Sequence, residues 1–350
     1  MKRVAILLFF AVWTAQALPV IPLATTPDRG TYPEFVAARI ASAEEEVLVA
    51  LSDLRLYAGD GATSPLVAAL VGAAARGVAV RVLVDRRGDG PYREQQEAFA
   101  HLAERGVAVR WDDPQVTLHT KFLVVDRRWV VAGSTHWTAS ALTRSVQLDL
   151  AVEDEEVGGA FRSFFDLLWE GQIKASAHLP PQPWPRPTLV PLLDFPQGGL
   201  HAELIPRLVR QAQESVCAII YRLGYYPAYG DSPSNRIVEE LRAAASRGVA
   251  VSVLLEGGED FPDLARDNQL AGAYLATGGV RVRFDAPGTT LHAKCLIVDG
   301  QDVVISSANW SYASLVQNVE AGLAVLGAPA LGLPLRHLFD ELWERARPLP

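Results

Sequence analysis

Apolar and polar positions along the chain form the same succession of elements twice. Aliphatic runs at 47–51 and 216–220 are rich in β-branched residues and predict buried strands. A helical pattern follows each run and ends at a glycine, Gly77 in the first copy and Gly248 in the second. The runs VAVRVLVD and VAVSVLLE then predict second strands. Each copy therefore begins strand–helix–strand, the parallel crossover unit of an α/β fold.

The succession reflects an internal repeat in the sequence itself. Residues 64–85 match 235–256, with the segment RGVAV shared, and residues 161–171 match 335–345. A repeat of this length indicates two domain-sized units rather than solenoid repeats.

The repeat also sets the expected domain boundaries. We predict an N-terminal half over 20–178 and a C-terminal half over 198–348. A proline-rich interval at 179–197 separates them, and its composition predicts an extended linker.

The N-terminus has the pattern of a targeting segment. Lys2 and Arg3 precede an uncharged apolar run that leads to a small-x-small site, Ala15-Gln16-Ala17. This pattern predicts a signal peptide over 1–17, cleaved near Ala17, and export to the periplasm or the cell exterior. The alternative is that the same segment stays attached as an N-terminal membrane anchor.

Composition limits the classes of partner. The chain is 49% hydrophobic, which supplies enough apolar side chains for two cores, and its formal net charge is −8. An acidic chain is a poor general partner for nucleic acid, although a cleft can carry the opposite local potential. Cys217 and Cys295 both lie in apolar runs, and the sequence leaves open whether they form a disulfide or two buried thiols.

A short histidine–lysine pattern occurs once in each copy. His119-Thr-Lys121 and His292-Ala-Lys294 use two of only four lysines in the 350 residues, and an aspartate follows each at the same offset, Asp126 or Asp299. The intervening apolar runs predict strands, on which residues two apart share a face. Each histidine therefore lies beside its lysine.

These side chains suit attack on a phosphodiester. Two lysines can neutralise the nonbridging oxygens and stabilise a pentacoordinate phosphorus. Of two facing histidines, one can attack phosphorus while the other protonates the leaving oxygen and later activates an acceptor. Because each half supplies one histidine, we expect the site on the seam between the halves, near a pseudo-twofold axis.

The chain resembles the phospholipase D superfamily, whose motif reads H-x-K-x4-D-x6-G-(G/S)-x-N. Beyond the histidine–lysine pairs, the matching or substituted positions are Gly133, Ser134 and His136 in the first copy and Ser306, Ser307 and Asn309 in the second. His136 stands where asparagine is usual, and Ser306 where glycine is usual. The resemblance implies two α/β/α sandwich halves with mixed sheets and a phosphohistidine intermediate. It also implies catalysis without a metal or other cofactor.

The resemblance further implies roles for single residues. His119 is expected as nucleophile and His292 as general acid and base, although these two roles could be exchanged. Glu320 is expected to orient His292, and Asp149 to orient His119. The phosphate-binding set is expected to comprise Lys121, Lys294, Asn309, His136, Ser134 and Ser307, whereas Asp126 and Asp299 are expected to be structural.

Two enzyme functions fit these expectations. The first is a phospholipase D that hydrolyses a glycerophospholipid to phosphatidic acid and a headgroup alcohol, with transfer to another alcohol also open. The second is an exported nuclease; the acidic charge and the scarcity of lysine disfavour it. A binding protein with a decayed site is the non-enzyme alternative. A tyrosine-rich segment at 221–229 could contact a lipid surface, and a site built within one chain predicts a monomer.

Overall fold

The computed structural model describes residues 19–57, 62–173, 179, 184–258 and 261–349. The predicted signal peptide, 1–17, lies outside these residues, and export stays a prediction. Among the described residues, no helix combines the length and the apolar character needed to cross a membrane.

The first half alternates strands and helices as the sequence pattern predicts. Its elements are β1 (Val20–Thr26), β2 (Arg29–Gly30), α1 (Tyr32–Ala41), β3 (Glu46–Leu51), α2 (Pro65–Ala75), β4 (Ala79–Val84), α3 (Arg93–Ala103), β5 (Ala108–Trp111), β6 (Lys121–Val125), β7 (Trp129–Gly133), α4 (Ala139–Thr143), β8 (Gln147–Glu153) and α5 (Glu155–Trp169).

The second half repeats this order with small changes at its ends. Its elements are β9 (Thr188–Asp194), α6 (Leu200–Gln211), β10 (Ser215–Ile220), α7 (Pro233–Ser246), β11 (Ala250–Leu255), α8 (Pro262–Thr277), β12 (Arg281–Phe284), β13 (Lys294–Val298), β14 (Asp302–Ser306), a π-helical turn (Ala313–Gln317), β15 (Glu320–Leu326), α9 (Pro329–Arg345) and β16 (Arg347–Pro348).

Each half contains one mixed eight-stranded sheet. The strand orders are β2-β1-β8-β7-β6-β3-β4-β5 and β16-β12-β11-β10-β13-β14-β15-β9. In each sheet the crossover helices join three parallel strands, β3-β4-β5 and β10-β11-β12, and the remaining strands are antiparallel. This arrangement confirms the predicted α/β fold with two repeated halves.

A shared hydrophobic core joins the two sheets. Phe161 and Phe164 of α5 pack in one cluster with Phe122 of the first sheet, Ile297 of the second, and Phe339 of α9. Separate clusters bury the outer faces of the two sheets beneath the other helices. Because α5 and α9 contribute to a core common to both halves, the seam between the halves has a fixed geometry.

The interval predicted as a linker, 179–197, is only partly a linker. It contains β9, which pairs along its whole length with β15 and forms an edge of the second sheet. The strand accommodates Pro191, which pairs with Leu323, because an edge strand can lack an outward hydrogen bond.

Candidate active site

The segments that carry the two motif histidines cross the seam. The backbone N–H of His119 donates to Val319 of the second half over 2.9 Å, and that of His292 donates to Val146 of the first half over 2.9 Å. Isolated bridges join Leu118 to Val319 and Val146 to Leu291, at equivalent places in the repeat. Each histidine is therefore positioned by backbone of the opposite half.

Glu320 holds His119. Both carboxylate oxygens of Glu320 lie 2.9 Å from Nδ1 of His119, and the amide of Asn318 and the hydroxyl of Ser307 also donate to this carboxylate. The resemblance implied that Glu320 orients His292, and the structure corrects that assignment. The reason is that β15 begins at the seam, so its first side chain reaches the histidine of the other half.

The carboxylate determines the protonation state of this pair. Burial alone would raise the pKa of Glu320, but the contacts with His119, Lys121 and Ser307 lower it to about 2. An ionised carboxylate accepts the Nδ1 proton of His119, so Nε2 carries the free lone pair. Burial lowers the pKa of His119 despite Glu320, which keeps this imidazole neutral and nucleophilic near neutral pH.

His292 has a neutral partner instead. Its Nδ1 lies 3.1 Å from Oε1 of Gln147 and 3.2 Å from the carbonyl oxygen of Ser134. Both partners are acceptors here, because Gln147 Oε1 also accepts the hydroxyl proton of Ser134 over 2.8 Å. The Nδ1 of His292 therefore donates. Burial and the neighbouring Lys294 hold the pKa of His292 well below its usual value.

Gln147 was not among the residues predicted from the sequence, although the sequence contains a signal for it. Gln147 follows His119 by 28 residues, and Glu320 follows His292 by the same 28 residues. Asp149 was predicted instead because it carries a carboxylate, whereas the common offset of 28 residues points to Gln147.

Asp149 lies near the site but does not orient His119. Its carboxylate accepts the backbone N–H of Thr135 over 3.2 Å and also the Thr135 hydroxyl proton. Burial raises the pKa of Asp149 to about 7. The side chain thus holds the turn between Gly133 and His136 in place, which corrects its predicted role.

The position of Asp149 also accounts for the serine at position 306, where the family motif usually has glycine. Gly133 pairs with Asp149 across β7 and β8, and Ser306 pairs with Gly322 across β14 and β15. A Cβ on either glycine would overlap the opposite residue, so each pair has room for one side chain only. In the second half that side chain belongs to Ser306. Its hydroxyl accepts the backbone N–H of the residue two places further on, just as the carboxylate of Asp149 accepts the backbone N–H of Thr135 in the first half.

The two motif lysines are buried beside their histidines. Each ammonium donates to the carbonyl oxygen of its own motif histidine over 2.6 Å, and Lys294 Nζ also lies 3.1 Å from Nε2 of His292. Burial lowers the pKa of Lys121 to about 7 and that of Lys294 well below its usual value. Two lysines that are costly to charge when buried form a site that favours an anion, because a bound anion stabilises both ammonium groups.

Ser134 and Ser307 support the orienting side chains. Both residues are fully buried, and their hydroxyls bond to Gln147 and Glu320 respectively. Their hydroxyls are thus committed to positioning the histidines instead of the predicted phosphate contact.

Asn309 and His136 occupy equivalent places at the rim of the site. Asn309 Oδ1 has no hydrogen-bond partner among the residues that the structure describes, so this amide keeps a polar atom available for a ligand. The ring of His136 lies 4.8 Å from that of His292 and 6.3 Å from that of His119, measured between centroids.

Asp126 and Asp299 lie away from this cluster. Asp126 accepts the backbone N–H groups of Glu44, Glu45 and Glu46, and Asp299 accepts those of the equivalent residues, 213–215. These carboxylates tie the end of each motif strand to the strand beside it, as expected of structural residues. Cys217 and Cys295 are both buried free thiols.

Comparisons with known proteins agree with this geometry. The family model described as "Cardiolipin synthase, PLD-like domain" matches residues 36–169 and again 205–343. Cardiolipin synthase B of Escherichia coli K12 is 28% identical over 325 residues, which cover 84% of this chain and 73% of that protein. A phospholipase D of Rickettsia bellii is 28% identical over 136 residues, 39% of this chain and 62% of that protein.

A solved structure shows the same fold at low identity. The phosphatidylserine synthase of Haemophilus influenzae superposes with a TM-score of 0.74 and 13% identity, covering 97% of this chain and 89% of that one. The family match spans both halves and includes both histidine–lysine motifs, so this chain belongs to the phospholipase D superfamily, with two PLD-like domains in one polypeptide.

Proposed function

We propose that this protein transfers a phosphatidyl group from a glycerophospholipid to an acceptor alcohol through a phosphohistidine. When water takes the place of the alcohol, the product is phosphatidic acid. The observation that carries this proposal is the pairing of His119 with Glu320 and of His292 with Gln147 at one seam.

His119 is the nucleophile in this proposal. The Nε2 lone pair attacks phosphorus, and the bond to the headgroup oxygen breaks. The positive charge that develops on the imidazole is offset by Glu320, which lies 2.9 Å from Nδ1. Lys121 and Lys294 stabilise the nonbridging oxygens during this step.

His292 moves the protons. In the free site Nε2 of His292 is unprotonated. The bound phosphodiester anion offsets the charge of Lys294 and lets Nε2 take up a proton from solvent. This Nε2–H then protonates the leaving alkoxide, which departs as the headgroup alcohol. The same Nε2, now neutral, accepts the proton of the incoming alcohol as that oxygen attacks phosphorus and releases His119. A neutral partner on Nδ1 suits this exchange, because it holds the ring without trapping the proton as a carboxylate would.

A groove lined by segments that follow Tyr221 and Asn309 in the chain supports a lipid substrate. Tyr226, Tyr229 and Tyr312 line a groove of about 830 Å³, and Tyr229 and Tyr312 are exposed. The residues of one wall follow Tyr221 in the chain, and the ring of Tyr221 lies 4.6 Å from that of His292. The residues of the other wall follow Asn309. Exposed tyrosines with an apolar body and a polar tip suit the interface of a lipid aggregate.

The relatives support the same substrate class. One relative, matched over 84% of this chain, is named a cardiolipin synthase, and a solved protein with the same fold is named a phosphatidylserine synthase. These names favour transfer over simple hydrolysis for this chain.

The test is headgroup release from mixed phospholipid vesicles in excess EDTA, with and without glycerol as an acceptor. We expect headgroup release, a phosphatidylglycerol product when glycerol is present, and loss of both in His292→Ala. His337→Ala, on the exposed side of α9, is the matched histidine control. Release of phosphatidic acid alone would make the enzyme a hydrolase, and cleavage of single-stranded DNA without lipid turnover would overturn the lipid assignment.

A further inference from the structure

The two halves differ at one matched pair of positions inside the site. Ser52 in the first half and Tyr221 in the second each follow the end of the strand next to the motif strand. Their backbone N–H groups donate to equivalent carbonyls, those of Thr120 and Ala293. The other position of the pair is the last one of the motif, where the consensus has asparagine.

That second position holds His136 in the first half and Asn309 in the second. Each half therefore has one ring and one small polar side chain at the two positions: serine with histidine, or tyrosine with asparagine. Both rings face the same partner, because His136 and Tyr221 lie 4.8 Å and 4.6 Å from the ring of His292. The replacement at His136 is thus matched by a smaller neighbour and is not a local loss of structure.

Ser52 is hydrogen-bonded to the ring of His136. Its hydroxyl lies 3.1 Å from Nδ1 of His136, which is the hydroxyl's hydrogen-bond partner among the described residues. The backbone carbonyl of Ser52 is already used by the amide of Gln95. A hydroxyl that donates to Nδ1 leaves the proton of the neutral imidazole on Nε2.

We propose that Ser52 and His136 form a phosphate-binding dyad, in which Nε2–H of His136 donates to a nonbridging oxygen of the bound phosphoryl group and the ring takes up a proton when the anion binds. The proposal rests on the phosphoryl chemistry proposed above, but not on the identity of the lipid. It gives the first half a titratable phosphate ligand where the second half has the amide of Asn309.

The surroundings of His136 explain why a proton accompanies the anion. Burial lowers the pKa of His136 well below its usual value, and nearby cationic or basic groups lower it further. These groups come from the strands and loops around the ring: Lys121, His119, Lys294 and Arg55. The free site therefore holds His136 neutral. A bound anion offsets part of this positive charge, which favours the imidazolium and a stronger, charge-assisted hydrogen bond.

The test uses tungstate as a phosphoryl probe, with calorimetry at pH 6.5 in two buffers of different ionisation enthalpy. His136→Asn keeps a donor of the kind found at Asn309 but removes the titratable ring. We expect this variant to take up fewer protons on binding than the wild type, by roughly one per site, and to bind roughly tenfold more weakly at pH 6 but little more weakly at pH 8.5. Equal proton uptake in both proteins would overturn the proposal.

A double-mutant cycle tests the contribution of Ser52. Ser52→Ala should weaken tungstate binding severalfold in the wild-type background, and this cost should disappear in His136→Asn, which has no tautomer to fix. Ser163→Ala, on the exposed face of α5, is the matched control. An equal cost of Ser52→Ala in both backgrounds would reduce Ser52 to a packing role and overturn the dyad.

These outcomes separate the dyad from the proposed function. Failure of the wild type to bind tungstate would overturn the dyad and the phosphoryl site together. Intact proton linkage without turnover of any lipid would support the dyad and remove only the lipid assignment. Thermal unfolding of each variant shows whether it is folded under the conditions of the titration.

Discussion

His119 and His292 lie at equivalent positions of the repeat, yet their surroundings differ in charge. A buried carboxylate holds Nδ1 of His119, whereas a neutral amide and a backbone carbonyl hold Nδ1 of His292. The carboxylate stabilises positive charge on its imidazole, and the amide orients its imidazole without adding charge. Two copies of one motif thus provide two environments, one suited to a covalent adduct and the other to proton transfer.

The difference is reciprocal across the seam. Glu320 belongs to the half that carries His292, and Gln147 belongs to the half that carries His119. Neither half contains a complete histidine with its partner. This difference can therefore be tested by replacing Glu320 or Gln147 and measuring the effect on the histidine of the other half.

The largest effect should come from removing one histidine at a time. We expect His119→Ala to lose roughly 10⁵-fold or more of its activity because no adduct can form. His292→Ala should lose about 10²- to 10⁴-fold on a natural headgroup but should still react with a 4-nitrophenyl phosphodiester, which needs no acid. The measurement is a burst of 4-nitrophenol and a mass shift on the His119 peptide.

His337→Ala is the matched control for this experiment, since its side chain lies on the exposed face of α9. An adduct that forms in His119→Ala and fails to form in His292→Ala would exchange the two roles.

A smaller effect should follow from exchanging the orienting side chains. Glu320→Gln removes the carboxylate beside His119, and we expect a loss of roughly 10³- to 10⁴-fold in kcat/KM. It should also lower the pKa of His119, so that the neutral nucleophile persists to lower pH and the acidic limb of the profile moves down.

Gln147→Glu should act in the opposite direction on His292. A carboxylate there favours the imidazolium and raises the pKa of His292, so the loss of activity on the alkaline side should move up by about one pH unit. The full pH profile of kcat/KM distinguishes these shifts from a general loss. If neither variant shifts the pH profile of kcat/KM, Gln147 and Glu320 act only through packing.

The smallest effect concerns stability at the paired glycines. Gly133→Ser places a side chain against Asp149, and we expect a cost of about 1–3 kcal/mol in the free energy of unfolding. Adding Asp149→Gly recreates the arrangement of Ser306 and Gly322, with the new hydroxyl able to accept the N–H of Thr135, and should recover part of that loss.

The measurement is thermal unfolding of the two single variants and the double variant. Gly159→Ser, on α5 where an added Cβ meets no neighbour within 4 Å, is the control. If the loss of stability in the double variant equals the sum of the losses in the two single variants, the proposed exchange of side chains between these positions is contradicted.

The sequence predicted the strands and the location of the site well because both depend on local pattern. The repeat placed His119 and His292 at one seam, and the structure does so too. The partners of the histidines could not be assigned in the same way, since position along β8 or β15 does not reveal which half a side chain faces. Glu320 was therefore matched with the wrong histidine, and Gln147 was overlooked because a carboxylate was expected.

Proline content caused the other error. The proline-rich composition of 179–197 predicted a linker, but a proline such as Pro191 is tolerated where a strand has a neighbour on one side only, and β9 lies at such an edge.

The seam has a consequence for how such a protein can change over time. In an assembly of two identical chains, every substitution appears on both sides of the twofold axis, so replacing a carboxylate by an amide would remove the carboxylate from both histidines. Joining the copies in one polypeptide lifts that restriction. The matched differences at Gln147 and Glu320, and at His136 and Asn309, are changes that only a covalently linked pair can accumulate one at a time.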